Sequence, residues 1–372
     1  MMRTLAFVGI AVGLTLSCPA SAQDLPLISP SFTLEGATPS PCFEFACFKL
    51  SAFDGDTLAA VGAQYPAVYV FVRDAAGAWS QQAVLLHPDA GEDPRDPEFG
   101  DHLALQGDDL VVSGGQLGGL LVYHRTGTTW SYRQTLPSTG SVDLENGILV
   151  STGADGNFAA YEKGAGGLFR QRATLKLPRS VDGYLSGPVE LDRNTAIIAG
   201  GDDTDGAVFI FQRLLGVWLF VQKLPAPPAA AGGGFGTALA IDRDRIAVGA
   251  PDVPGLDVTR PGVVQTYARR GLQWRTVELL TNPVPPDGNY RAFGNALDLQ
   301  GERLVISARR PSYPYASYIP GNYLYELTGN RWALSAIIDA SASHAVELSG
   351  SSLLVDINLL RYGTLPTIVD LP

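Results

Sequence analysis

The sequence predicts an all-β chain, a seven-bladed β-propeller of four-stranded antiparallel blades with the ring closed by an N-terminal strand. Three observations lead there. Seven short polar turns, each set between two apolar runs, recur about every 49 residues, a propeller-blade period. Aliphatic residues alternate with period 2 before most turns and run almost unbroken after them, the local pattern of a hairpin. All five tryptophans fall at one phase of that repeat.

The N-terminus comes first in order and lies outside the repeat. Arg3, the apolar run Leu5–Leu16 and the small residues Ala20-Ser21-Ala22 predict a signal peptide over 1–22 and an exported protein, periplasmic or secreted. The run is too short for a membrane span, and no second one approaches that length, so no membrane span is expected. Thr15 stands where a lipobox before Cys18 usually has leucine, which disfavours lipidation. Residues 23–47 are expected to hold the closing strand, within Leu27–Gly36, and a Cys-x4-Cys link. In an oxidising compartment Cys42 and Cys47 are candidates for a disulfide; two buried free thiols are the alternative.

The propeller proper is expected over 48–372. Its blades are read as 48–98, 99–140, 141–183, 184–234, 235–292, 293–345 and 346–372, the last completed by 27–36. The turns between first and second strands are Asp54-Gly55-Asp56, Gln106-Gly107-Asp108-Asp109, Glu145-Asn146-Gly147, Asp192-Arg193-Asn194, Asp242–Arg245, Gln300-Gly301-Glu302-Arg303 and Ser349-Gly350-Ser351-Ser352. Third and fourth strands follow in six units, marked by the aromatic pairs Phe71/Trp79, Tyr123/Trp130, Tyr161/Phe169, Phe211/Trp218, Tyr267/Trp274 and Tyr325/Trp332. Rings in so fixed a phase are expected to pack between neighbouring blades.

The stretch Phe235-Gly236 … Gly249-Ala250-Pro251 resembles an FG-GAP repeat, the unit of integrin-alpha-type propellers and of many exported bacterial proteins. Weaker copies begin at Phe99-Gly100 and Phe293-Gly294. The resemblance implies the propeller fold more than an activity, since propellers host unrelated functions. It also raises the family's Asp-rich calcium loop between strands one and two, but here that connection is a turn of a few residues in every blade. Asp242-Arg243-Asp244-Arg245 is too short to wrap an ion and is diluted by two cations, so no metal site and no cofactor are expected. Asp202–Asp205 looks more like a cation loop, or is simply a solvated acidic turn.

The net charge of −11 argues against nucleic acid or anionic lipid as a partner. The 2–3 and 4–1 connections run long and share one face, at 87–98, 225–234, 251–262, 282–292 and 309–321. Variable loops on a rigid scaffold are where binding usually resides. His87–Glu98 is acidic, whereas blades five and six gather Tyr290, Arg309, Arg310, Tyr313, Tyr315 and Tyr318, which are the candidate ligand-binding residues. The reading is a non-catalytic binding or adhesion-type propeller for an extracellular or periplasmic protein, peptide or glycan. The alternative is a propeller hydrolase with two carboxylates in a central pocket, and a third class is a structural subunit with an apolar flank. The four histidines His87, His102, His124 and His344 share no repeat position, and no catalytic motif stands out.

Because the turns are too short to wrap calcium, neither calcium nor EDTA should move the melting temperature. A shift of several degrees in a thermal melt would place an ion site that this reading misses, with Asp202–Asp205 the first suspect.

Overall fold

A computed structural model describes residues 27–28, 32–33, 48–62, 67–89, 98–153, 157–201, 206–251, 262–283, 292–308, 321–338, 343–359 and 363–371. They form seven antiparallel meanders set in a ring, a seven-bladed β-propeller. Blade two shows the plan, with strands Phe99–Gln106, Asp109–Gly114, Leu120–Thr126 and Thr129–Leu136 hydrogen-bonded in that order. The other inner strands are Phe48–Asp54, Ser138–Glu145, Tyr184–Asp192, Ala238–Asp242, Phe293–Gln300 and Ser343–Ser349. Each contacts the next, and the last returns to the first. Blade three thus begins at Ser138 and blade seven at Ser343, each about three residues before the boundary read from the sequence.

A chain of this length exceeds what one compact core usually holds, and a ring solves this by dividing the core. Seven hydrophobic clusters occupy the seven blade interfaces, one to each. The second strand of each blade therefore has apolar neighbours on both faces. Thr57–Gly62 is buried at every position and Arg303–Ala308 at every position but its first, which is why these segments read as unbroken apolar runs. Fourth strands meet water on the rim and alternate instead: in Val217–Pro225, Trp218 is buried between exposed Val217 and Leu219.

The phased rings lie in these interfaces, each packed against the preceding blade. Trp274 of blade five, 3% exposed, packs with Ile197, Val208 and Leu224 of blade four. Its backbone is bracketed by one side chain of that blade. Trp274 N donates to Gln222 Oε1 at 2.8 Å, and Gln222 Nε2 donates to the Trp274 carbonyl at 3.0 Å. Gln134 of blade two holds Phe169 of blade three in the same two-bond way. Trp79 is half-buried, with the Arg73 guanidinium 5.4 Å over its ring.

The Phe-Gly pairs have a geometric cause. Gly100, Gly236 and Gly294 sit at φ 76°, 96° and 88°, which L side chains rarely adopt. Their phenylalanines, Phe99, Phe235 and Phe293, fill the interface with the preceding blade. Gly249, opening Gly-Ala-Pro, lies so near blade six that a Cβ there would stand 2.1 Å from the Gly294 carbonyl oxygen.

Two short N-terminal strands add to outer edges. Phe32–Thr33 pairs antiparallel with Gly363–Asp370, the third strand of blade seven. Leu27–Ile28 pairs parallel with Arg331–Ile338, the outer strand of blade six. The segments 1–22, Cys42 and Cys47 lie outside the described residues.

Truncating Trp274 to alanine should destabilise the protein by about 3–5 kcal/mol, the range for a buried large aromatic. Denaturant unfolding measures this, and a loss under about 1 kcal/mol would mean that the ring is not part of the interface core.

Candidate functional site

The inner strands end in two-residue turns, and the first turn residue has φ between 50° and 63° in all seven blades. Four of these residues are glycine and one is asparagine, the types that tolerate this conformation. Arg193 and Arg243 adopt it at φ 54° and 55°, where a longer side chain is strained.

These turns are tied from blade to blade. The last inner-strand residue accepts a hydrogen bond from the first turn N–H of the next blade. Asp54 Oδ2 accepts from Gly107 at 2.6 Å, Asp192 Oδ2 from Arg243 at 2.8 Å, and Asp242 Oδ2 from Gly301 at 2.6 Å. Gln106 Oε1 accepts from Asn146, and Ser349 Oγ from Gly55 at 2.7 Å, which crosses the point where the ring closes.

Two residues earlier lies a second ring of positions. Strand alternation explains both rings: Phe53, Leu105, Leu144, Leu191, Ile241, Leu299 and Leu348 pack toward the preceding blade, and the residues on either side of them face the next blade and the channel. This second ring reads Ala52, Ala104, Asp143, Glu190, Ala240, Asp298 and Glu347. Asp143 spends both oxygens on backbone N–H groups, Oδ1 on Leu144 at 2.7 Å and Oδ2 on Leu191 at 2.6 Å. Asp298 does the same with Leu299 and Leu348. Glu347 Oε2 accepts from Phe53 at 2.7 Å. Glu190 accepts no hydrogen bond among the described residues.

Together the two rings line a central cavity of about 410 Å³. Eight carboxylates border it (Asp54, Asp143, Glu145, Glu190, Asp192, Asp242, Asp298 and Glu347), and among the described residues no lysine, arginine or histidine lines it. The wall desolvates them. Burial pushes the carboxyls of Asp143 and Asp298 up to about 6, against the lowering effect of their backbone hydrogen bonds. Burial, followed by repulsion from the neighbouring acids, raises Glu190 and Glu347 well above the ordinary glutamate range. Glu190 is only partly buried and faces the acid-lined cavity.

Two-carboxylate hydrolysis needs one acid kept protonated and one base kept ionised. Glu190 and Glu347 are instead pushed the same way by the same two causes. No three His, Cys, Asp or Glu side chains among the described residues converge closely enough to hold a metal ion.

Tyr290, Arg309, Arg310, Tyr313, Tyr315 and Tyr318 fall outside the described residues, as do Asp202–Asp205 and positions 90–97 of the acidic loop. His87 is buried and edge-on to Phe99, and His124 bonds Asp109 at 2.8 Å beside Lys163. Leu215, Val217, Leu219, Leu272, Val277 and Leu279 are exposed along blades four and five, mostly as the outward half of strand alternation. The acidic channel was missed in the sequence, although a signal existed: aspartate or glutamate two residues before the last inner-strand residue in four of the seven units.

Residues 218–262 match the family model of the FG-GAP repeat, a span that contains Phe235–Pro251. No curated protein matches the sequence. Among solved structures, the fold is similar to that of a proposed 6-phosphogluconolactonase from Bacteroides fragilis, at TM-score 0.53 and 10% identity over 87% of this chain and 94% of that one. It is also similar to another from Bacteroides uniformis, at TM-score 0.55 and 10% identity over 85% and 97%. At that identity the likeness is one of fold.

The raised carboxyls fix the sign of a pH effect. Unfolded carboxylates ionise near pH 4, so between about pH 4 and 6 the folded chain holds more protons, and its stability falls as pH rises. Thermal melts should therefore give a higher melting temperature near pH 5 than near pH 7.5, and Glu190→Gln should raise the value at the higher pH and flatten the dependence. A lower melting temperature near pH 5, unchanged in slope by Glu190→Gln, would overturn this account.

Proposed function

We propose that this chain, a seven-bladed β-propeller carrying an FG-GAP repeat, is an exported, non-catalytic binding module that recognises a glycan, peptide or protein on its long-loop face. The observation that carries this reading is the asymmetry of the disc. One face is closed by seven two-residue turns, five of them tied to the next blade by a side-chain acceptor. The strands joined by the 251–262, 282–292 and 309–321 connections end at the opposite face. A rigid ring with variable loops on one side is the arrangement in which binding residues usually sit.

The non-catalytic part rests on the channel. Asp143 and Asp298 have both oxygens engaged by backbone N–H groups, and the two remaining acids of that ring, Glu190 and Glu347, are not separated into an acid and a base. In the sequence, the 282–292 and 309–321 connections bring together tyrosines, whose rings give rigid amphipathic contact area, and arginines, which give forked donors, in an otherwise acidic protein. That chemistry favours an anionic or hydroxyl-rich ligand.

A glycan-array and surface-binding screen of the mature protein, followed by Arg309→Ala/Arg310→Ala, tests this. Binding to any hit should weaken by about tenfold or more with the melting temperature unchanged. Undiminished binding by the double variant would move the site away from these loops.

A further inference from the structure

The rim of the turn face has a character of its own on blades three, four and five. The fourth strands there, Phe169–Leu175, Val217–Pro225 and Gln273–Thr281, contact in that order, so the hairpins that open them are neighbours around the ring. Each hairpin presents an exposed leucine in its turn, Leu168, Leu215 and Leu272. The equivalent turns of blades one, two and six carry Ala75-Ala76, Thr128 and Asn330 instead. Val217, Leu219, Val277 and Leu279 extend the apolar surface along the rim. Those four are the outward half of strand alternation, but the turn leucines are not.

Leu215 breaks two rules at once. It is wholly exposed, and it takes φ 50° in the two-residue turn between the paired Leu214 and Val217. Glycine fills that left-handed position in blades two, five and six, as Gly127, Gly271 and Gly329. Neither packing nor backbone preference accounts for a leucine there. The charge around these tips is equally uneven. An arginine stands two residues from each leucine, as Arg170, Arg213 and Arg270. Arg213 pairs with Glu162 of blade three, but Arg170, Arg270 and the exposed Arg275 have no carboxylate partner among the described residues. In blades one and two, by contrast, Arg73 is held by Asp56 at 2.9 Å and Arg125 by Asp108 at 2.6 Å. The three hairpins, residues 161–175, 211–225 and 267–281, hold eight lysines and arginines against two glutamates. The net charge of −11 belongs to the whole chain, and this sector reverses its sign.

We propose that this rim sector docks on a membrane surface containing anionic lipid, with the leucine tips entering the edge of the apolar layer and the arginines meeting the headgroups. The geometry suits a bilayer better than a folded partner. Three separate hairpin tips need a receiving surface that is level and yields to each, whereas a rigid protein needs a fitted pocket for every one. A bilayer also stacks its chemistry in the observed order, with apolar chains beneath a layer of negative charge. In each hairpin leucine leads and arginine stands two residues back from it. The arginine stem lies along apolar surface while its guanidinium stays among the phosphates, which it binds through paired donors. Docking of this kind is peripheral. It leaves the long-loop face turned away from the lipid and open to the ligand proposed above.

Flotation of the mature protein with phosphatidylcholine vesicles, with and without phosphatidylglycerol, tests this. The protein should float with the anionic vesicles and partition at least about tenfold less to the neutral ones, and high salt should weaken the binding. Leu215→Asn/Leu272→Asn should lower partitioning by about tenfold. The melting temperature should not fall, because asparagine tolerates the left-handed turn at 215 and both positions are exposed. Arg270→Gln/Arg275→Gln should remove the preference for anionic vesicles. Leu117→Asn, which alters an exposed leucine on the long-loop face, should change partitioning by less than about twofold. Absence of flotation with anionic vesicles would overturn the proposal, as would equal weakening by Leu117→Asn. A dimer in vesicle-free solution that Leu215→Asn/Leu272→Asn dissociates would assign the sector to a second copy of the chain, and would overturn it too. The glycan screen and the Arg309→Ala/Arg310→Ala variant concern the opposite face and stand or fall separately.

Discussion

The structure depends on the blade-to-blade interface. A four-stranded meander exposes two apolar faces and has no core of its own, so each blade is stable only between two others. The seven hydrophobic clusters lie at seven such contacts, and none is contained within a single blade. Hydrophobic packing is not directional, and side-chain hydrogen bonds set the angle of the contact. Near the axis the inner-strand acceptors hold the next turn, and near the rim Gln134, Gln222 and Glu278 hold the backbone at the phased ring of the next blade. The left-handed Arg243 follows from this, because its turn must present its first N–H to Asp192 whatever side chain it carries.

Much of that scaffold was legible in the sequence. Period-2 aliphatics, two-residue polar turns and tryptophans in one phase are local consequences of a strand having one neighbour along the sheet and another across the interface. The Phe-Gly and Gly-Ala-Pro elements were legible for the same reason: Phe235 fills an interface, Gly236 turns where a side chain is strained, and Gly249 passes under the Gly294 carbonyl. Blade boundaries shifted by a few residues at Ser138 and Ser343, because inner strands start before their periodic aliphatics do. The placement of Leu27–Ile28 on blade six was not legible, since a two-residue parallel pairing leaves no periodic trace.

The channel was hidden by the alternation rule itself. Along an inner strand, Asp143 and Asp298 sit where a solvent-facing residue belongs, and acids at such places read as ordinary surface. A propeller has an inner surface as well as an outer one, however, and the inner surface is narrow. The ring of inner strands brings charges from residues up to 293 positions apart, Asp54 and Glu347, into mutual repulsion. No window along the chain contains that distance; only the phase of the acids relative to the turns does.

The two layers of the channel differ in what they tolerate, and the difference bears on what each does. The turn-end layer reads Asp, Gln, Glu, Asp, Asp, Gln and Ser, so it accepts almost any side chain with an oxygen. Gln106 and Ser349 hold their neighbours' N–H groups without a charge to desolvate, as a tie requires. The second layer contains alanine or a carboxylic acid and no neutral acceptor. Were tying the only demand there, glutamine or serine would meet it at lower desolvation cost, since a buried neutral hydrogen-bonding group is less unfavourable than a buried charge. Asp143, Glu190, Asp298 and Glu347 bring ionisable oxygen where ionisation is opposed by burial and by one another. The surplus is charge itself, placed on the axis of a ring whose hydrogen bonds and packing already hold it shut.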